Sequence, residues 1–283
     1  MTRPLIVLAN DDGYSSRGIR TMRDALLEIG DVVLIAPESE QSASSHALTL
    51  HRPLRLRMVE EGIFAVDGTP ADCIYVALHA GGRVLPRRPD LVVSGLNHGL
   101  NLGQDVFYSG TVAAAREGAL QGIPALATSA HTQADFAAAS RLCARLALGL
   151  HQACSGRKHA SKAVMTSGAR QVAEPAPLLS VNVPRDWNGK VEPARLGMRI
   201  YEELVDFRQD PRGREYFWLG GPGVTHEQSP GTDTDAFDRG YATLTALMLD
   251  LTDTTRGTLT STLARDAGAD RTTGSAGEDQ VDS

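Results

Sequence analysis

The stretch LIVLANDDG, residues 5–13, decides the fold. Five apolar residues, Leu5–Ala9, run without a polar interruption into Asn10-Asp11-Asp12-Gly13. That pattern reads as a strand buried on both faces and closed by a turn. Strands of this kind belong to parallel sheets covered by helices above and below. Outward from it, Ile19, Met22, Leu26 and Leu27 recur at helical spacing, and Gly30 is expected to close that helix as a C-cap. Val32–Ala36 reads as a second buried strand stopped by Pro37, and Leu91–Val93 as a third leading into Ser94-Gly95. Thr111–Leu120 reads as an alanine-rich helix with Gly122 just past its end, Ala125–Ser129 as a strand, and Ala134–Leu150 as a longer helix. Strand–helix alternation with continuously apolar strands predicts an α/β protein, a Rossmann-like three-layer sandwich around a mostly parallel sheet.

Beyond Leu150 the periodicity weakens. Residues 151–177 read as a connection, and Leu179–Val183 as a clean strand before Pro184. Arg199–Val205 and Glu215–Leu219 predict a C-terminal β-hairpin arm, about residues 195–221, turning through Asp210-Pro211-Arg212-Gly213. Tyr241–Leu251 reads as the last strand. Residues 1–251 are therefore expected to form one domain. Residues 252–283, rich in Thr, Gly, Asp, Ser and Ala, are expected to be a disordered tail.

Composition narrows the function. The 283 residues carry 28 basic and 34 acidic side chains, a net charge of −6, which argues against a general nucleic-acid binder. A hydrophobic fraction of 42% and a charged fraction of 22% exclude wholesale disorder. Nowhere do about 18 apolar residues run together, so no membrane span or membrane partner is expected. The segment from Met1 does not read as a signal peptide, because Asn10-Asp11-Asp12 interrupts its apolar run. Cys73, Cys143 and Cys154 are an odd number without metal-type spacing, and read as reduced thiols of a cytoplasmic protein.

Several polar loops follow strands at what should be one edge of the sheet, where ligands bind in open parallel sheets. Asp11 and Asp12 repel one another unless water or a hard cation lies between them; the same pair also reads as a turn capping the next helix. Gln41-Ser42-Ala43-Ser44-Ser45-His46 is a polar loop, and its histidine reads either as a general acid or base or as incidental. Ser94–Gly103 is glycine-punctuated, with Asn97 able to supply a neutral oxygen ligand or simply to shape a turn. Tyr108-Ser109-Gly110-Thr111 precedes a helix and reads either as an anion site or as ordinary N-capping. Together these loops offer carboxylates, amides, hydroxyls and an amide oxygen, a combination suited to a metal-dependent phosphate site.

As a set the loops resemble the SurE-type survival proteins, acid phosphatases that act as 5′-nucleotidases. The matching text is NDDG at 10–13, APESEQSASSHALTLHRPLRL at 36–56, DGTPADC at 67–73 and PDLVVSGLNHGLNLG at 89–103. YSGTVAAAREGALQGIPALA at 108–127, LLSVNVP at 178–184, RLGMRIYEEL at 195–204, DPRGREYFWLGG at 210–221 and GTDTDAFDRGYATLT at 231–245 continue it in order. The resemblance implies one divalent cation per subunit, Mg²⁺ or Mn²⁺, held by Asp11, Asp12, Ser42 and Asn97. It implies a phosphate held by Ser109, Gly110 and Thr111 with Asn10 and Asn101 nearby, and Asp11 as general base. The substrates implied are nucleoside 5′-monophosphates, with 3′-nucleotides and short polyphosphate in some members. The partner implied is a second copy, in a homodimer or homotetramer that exchanges the C-terminal arm. A covalent route through Asp11 stays open at this level.

The chain departs from the family pattern at Ala43, where glycine is usual, at Tyr14-Ser15-Ser16-Arg17, and at Gln104, where an acidic residue is commoner. Two rivals fail on residues. A phosphate-accepting receiver domain needs an Asp after the third strand and a Lys after the fifth, but Ser94 ends the third and no lysine precedes Lys158. A P-loop kinase needs G-x-x-x-x-G-K-[ST], which is absent. A nucleotide-binding protein without catalysis would use the same pocket and stays open.

Overall fold

The computed structural model describes residues 3–155, 175–201, 205–219 and 223–269. The strand read from residues 5–13 is β1 (Leu5–Ala9), all five residues buried. It is followed by α1 (Arg17–Leu27), β2 (Asp31–Pro37), the antiparallel pair β3 (Leu56–Glu60) and β4 (Ile63–Val66), α2 (Pro70–His79) and β5 (Leu91–His98). A 3₁₀ turn at Gly103–Phe107 leads into α3 (Gly110–Leu120), then β6 (Ala125–Ala130), α4 (Phe136–Ser155), β7 (Leu178–Val183) and β8 (Val191–Pro193). The chain continues through β9 (Arg199–Tyr201), β10 (Val205–Gln209), β11 (Glu215–Leu219), β12 (Val224–His226), α5 (Asp233–Asp238), β13 (Ala242–Leu247) and α6 (Gly257–Ala269).

Nine strands form one sheet in the order β3-β4-β2-β1-β5-β6-β7-β13-β8. The pairings from β4 through β7 are parallel, whereas β3 and β13 run antiparallel to β4 and β7. Alternation along β1 sends Ile6 and Leu8 to one face, against Ile19, Met22 and Leu26 of α1 and Phe136, Leu142 and Cys143 of α4. Val7 and Ala9 face the other way, onto Cys73 and Ile74 of α2 and Val112 and Ala115 of α3. The result is the expected three-layer sandwich.

The structure corrects four expectations. Gly30 does not cap α1: Glu28 does, and Gly30 is bare because a β-carbon there would sit 2.6 Å from the Pro4 carbonyl oxygen. β5 does not stop at Val93 but runs on to His98, its pairing with β6 shifting between Ser94 and Asn97. The arm pairs differently, β10 with β11 and β9 with β12. The turn dictates this: Asp210 Oδ1 accepts the N–H groups of Arg212 and Arg214, Gly213 takes φ +77°, and the tight reversal brings Gln209 opposite Glu215. Finally, the tail expected to be disordered contains α6, with Leu259 and Leu263 at helical spacing within a Thr/Ser-rich composition. Asp253 caps the short turn before it, accepting from the Thr255 N–H at 2.9 Å. Residues 250–283 form a unit separate from 1–249, and residues 270–283 lie outside the described residues. So do residues 156–174, most of the connection read from the sequence.

Helix α3 packs so closely on β5 that Gly118 leaves no room for a side chain. A β-carbon would lie 2.6 Å from Val92 Cγ2 and 2.8 Å from its Cβ. Gly118→Ala should gain up to ~1 kcal/mol of helix propensity and lose ~1–3 kcal/mol to overpacking against a stiff β-branched neighbour. Net destabilisation is expected in the midpoint of chemical unfolding; a stabilised variant would show that the α3–β5 contact is looser than described.

Candidate active site

β1 is flanked by β2 on one side and β5 on the other, so the chain reverses its direction of winding at the carboxyl ends of β1 and β5. A crevice must open there, because the connections leave in opposite directions. Here it is a cleft of about 330 Å³. Its walls include Asp11 and Asp12 after β1, Glu40, Ser42 and Ala43 after β2, and Asn97, His98 and Asn101 at the end of β5. Asp105, Tyr108 and Ser109 before α3, and Tyr201 of β9, complete them.

Asp11 is held from behind. Its Oδ2 accepts the Thr111 N–H at 3.0 Å and its Oδ1 accepts the Thr111 hydroxyl. The carboxylate is thus the anion bound by the α3 N-terminus, where free amides and the macrodipole favour negative charge. Gly110 allows the approach, since a β-carbon there would lie 2.8 Å from Asp11 Cβ. Burial pushes the Asp11 carboxyl up to about 6; the Thr111 hydroxyl opposes this and the neighbouring Asp12 adds to it. Asp12 is raised as well, by burial first, with the His98 N–H on its Oδ2 at 3.1 Å opposing. Neither carboxylate draws on an Arg or Lys among the described residues.

The loop after β2 carries Ser42 and is pinned at both ends. The Gln41 N–H donates to the Asp11 carbonyl at 2.7 Å, and Ser42 Oγ donates to Glu40 Oε1 at 2.6 Å. Ser45 donates its N–H to the Tyr108 carbonyl and its hydroxyl to the Phe107 carbonyl. His46 Nε2 pairs with Glu117 Oε2 of α3 at 2.9 Å, and Thr49 donates twice to Asp72 of α2. Ala43 sits at φ +56°, the left-handed region that only glycine enters freely, so this chain carries about 1–2 kcal/mol of local strain beside Ser42.

On the β5 side, Asn97 Nδ2 donates to the Gly99 carbonyl at 3.0 Å, which turns its Oδ1 away from that bond. Asn101 Nδ2 donates to Ser129 Oγ, and its backbone N–H donates to Asn182 Oδ1 of β7 at 2.7 Å. Gln104 grips β9 with both ends of its amide, accepting from the Arg199 N–H and donating to the Arg199 carbonyl. A carboxylate in its place could make only the first bond, which accounts for glutamine here.

Of the residues singled out from the sequence, Asp11, Asp12, Ser42, Asn97, Asn101 and Ser109 share the cleft. Asn10, Gly110 and Thr111 do not line it. Asn10 is fully buried, its Nδ2 donating to the Gly13 carbonyl and to Ser16 Oγ across the turn. Thr111 is fully buried against Asp11, and Gly110 provides clearance. His46 also lies outside the lining, bound to Glu117. Sequence reading did not single out Glu40, Asp105 or Tyr201. Glu40 adjoins a loop already singled out and Tyr108 opens the motif before α3, but nothing local marks Tyr201, which arrives from β9.

Glu117 supplies a test of the loop's anchorage. Burial raises its carboxyl, but the hydrogen bonds from His46 and Gln121 and the charges of His46 and His79 outweigh that and hold it below the ordinary 4.5. A folded value below the unfolded one means stabilisation that is fully present above the unfolded value and lost as pH falls through the folded one. Glu117→Gln is therefore expected to cost about 1–3 kcal/mol at pH 7. Urea unfolding should show the deficit against wild type shrinking below pH 4; a constant deficit would trace it to shape rather than charge.

A sequence model of the family described as Survival protein SurE matches residues 6–203. The 5′-nucleotidase SurE of Sorangium cellulosum is 57% identical over 249 residues, covering 88% of this chain and 91% of the relative. That of Myxococcus xanthus is 43% identical over 256 residues, covering 88% of each. The crystal structure of the SurE protein from Aquifex aeolicus superposes with a TM-score of 0.73 at 33% identity, over 92% of this chain and all of that one. The sheet order, the cleft at the β1/β5 reversal and these matches agree: the chain belongs to the SurE family.

Proposed function

We propose that the protein is a metal-dependent 5′-nucleotidase, a phosphoric monoester hydrolase releasing phosphate from nucleoside 5′-monophosphates. The observation that carries this reading is the pair Asp11–Asp12, the first buried and the second half-buried, side by side in a cleft where neither draws on an Arg or Lys among the described residues. Two such carboxylates fit a hard divalent cation, Mg²⁺ or Mn²⁺, with Ser42 Oγ and Asn97 Oδ1 as neutral oxygen ligands. A site of this kind holds only two acidic ligands, in keeping with the lack, among the described residues, of any group of three or more His, Cys, Asp or Glu able to hold a metal. When bound, the cation supplies Lewis-acid polarisation of a phosphoryl oxygen and a water of lowered pKa.

The chain's own groups do the rest. Asp11, with both oxygens fixed by Thr111, is aimed to take a proton from the attacking water. Ser109 accepts the Val112 N–H at Oγ, which leaves its own proton to donate to a phosphate oxygen. Asn101 Nδ2, with one proton on Ser129, keeps a second for the same purpose. 3′-Nucleotides and short polyphosphate are further candidate substrates.

Two further parts of the reading rest on surface chemistry. Buried thiols at Cys73 and Cys143 without disulfides suit the cytoplasm. No helix among the described residues is long and apolar enough to cross a membrane. The β10–β11 hairpin exposes Phe207, Phe217 and Trp218, 51–67% accessible, a patch suited to a second copy of the chain in a homodimer or homotetramer. Deleting residues 206–216 should move the sedimentation profile toward monomer, and an unchanged oligomer would remove the arm from the interface.

The metal reading is tested by chelation and by Asp11→Asn. EDTA should abolish phosphate release from AMP, and Mn²⁺ or Mg²⁺ should restore it. Asparagine at position 11 can still accept the Thr111 N–H and donate to its hydroxyl, so the site keeps its shape while losing charge. Turnover should fall by roughly 10² or more. Thermal unfolding of the metal-free protein should hold or rise, and the stabilisation by added Mn²⁺ should vanish. A variant that melts early yet turns over normally would make the pair a structural cap.

A further inference from the structure

The cleft contains aromatic surface that phosphate chemistry does not use. Tyr108 is 63% exposed and Tyr201 is 42% exposed, and both rings border the same cleft as Asp11 and Ser109. Tyr201 comes from the root of the arm and is fixed there. Its hydroxyl donates to Asp105 Oδ1, and Arg199 binds the other oxygen of the same carboxylate. The Arg199 guanidinium also stands 5.4 Å from the Tyr201 ring centroid. Asp105 is itself 9% exposed and its segment is tied to β9 by Gln104. Burial and the bond to Asp105 push the Tyr201 phenol up to about 12, so it remains a donor at neutral pH.

The Ser109 N–H donates to the Asp105 carbonyl at 3.0 Å, which ties the residue that anchors Tyr201 to the start of α3, where Ser109 borders the same cleft. Flat aromatic faces stack on any nucleobase without selecting a hydrogen-bond pattern.

We propose that Tyr201 and Tyr108 form the nucleoside-binding wall of the cleft, with Asp105 and Arg199 as positioning residues that hold Tyr201 in it. The wall accepts the base of a nucleoside monophosphate and gives the enzyme its preference over phosphomonoesters that lack one. This rests on the nucleotidase reading above.

The test compares AMP with ribose 5-phosphate, which keeps the sugar phosphate and lacks the base. Tyr201→Ala and Tyr108→Ala should each raise the KM for AMP about tenfold while leaving kcat for AMP and kcat/KM for ribose 5-phosphate within twofold. Tyr201→Phe keeps the ring and should stay within threefold for both substrates. Adenosine, tested as a competitive inhibitor of ribose 5-phosphate hydrolysis, should weaken in the two alanine variants alone. Equal losses on both substrates, or no loss on either, would overturn the wall. Because Tyr108 is mostly exposed, its variant tests the idea even if Tyr201→Ala fails to fold. Wild-type enzyme that turned over neither ester would overturn the nucleotidase reading, and the wall with it. Turnover of ribose 5-phosphate as efficient as that of AMP would leave the phosphatase standing and overturn only the wall.

Discussion

The carboxylate of Asp11 seated on the amide and hydroxyl of Thr111 is the contact on which the rest of the cleft depends. It joins the end of the central strand to the start of α3, two elements a hundred residues apart. A buried carboxylate is costly without compensation, and a helix N-terminus with a spare N–H and a hydroxyl is a strong neutral compensator. Those donors are taken by the protein's own anion, and Asp11 at the same time lines the cleft. The same contact engages the N–H and hydroxyl of Thr111, which read in the sequence as phosphate-binding groups, with Asp11.

Around that contact the structure distributes rigidity unevenly. The loop bearing Ser42 is fastened to α2 through Asp72 and to α3 through Glu117, yet its middle passes through two non-glycine residues at positive φ, Ala43 and Ser45. Such conformations persist where flanking contacts over-determine them, and they cluster at ligand sites. On the opposite wall the Asn101–Gly103 segment is held by side chains from elsewhere. Asn182 binds the Asn101 N–H, and the buried Asp233 accepts from both Gly103 and Gly197. The cleft is thus built by long-range polar clamps on short loops, not by the loops themselves.

That division explains what could be read in advance. The sheet and its helices were legible because β1 and β2 carry continuous apolar runs, β6 and β7 are short apolar-rich segments, and α1 has a one-sided stripe, signals that live within ten residues. The polar loops were legible as a set because each follows a strand. The short strands β3, β8 and β12 were not, nor was the pairing of β9: they are partly exposed, three to five residues long, and take their structure from partners that local pattern does not reveal. The same holds for side-chain roles. Asn10 and Thr111 have the right chemistry for a phosphate, and only the three-dimensional placement shows that Gly13, Ser16 and Asp11 already engage them. Tyr201 was invisible for the opposite reason, since its importance comes entirely from where β9 delivers it.

The antiparallel strand β13 lies between β7 and β8 in the sheet, although in the chain it follows the whole arm. During synthesis β8 therefore has no neighbour to pair with until residues 242–247 emerge. At about 5–20 residues per second, the roughly fifty residues between β8 and β13 take about 2–10 seconds to appear. The arm's aromatic residues, Phe207, Phe217 and Trp218, are made within that interval and before the strand that closes the sheet over β8. The order of strands along the chain thus delivers the arm before the sheet is complete, which a sheet closed in sequence order would not do.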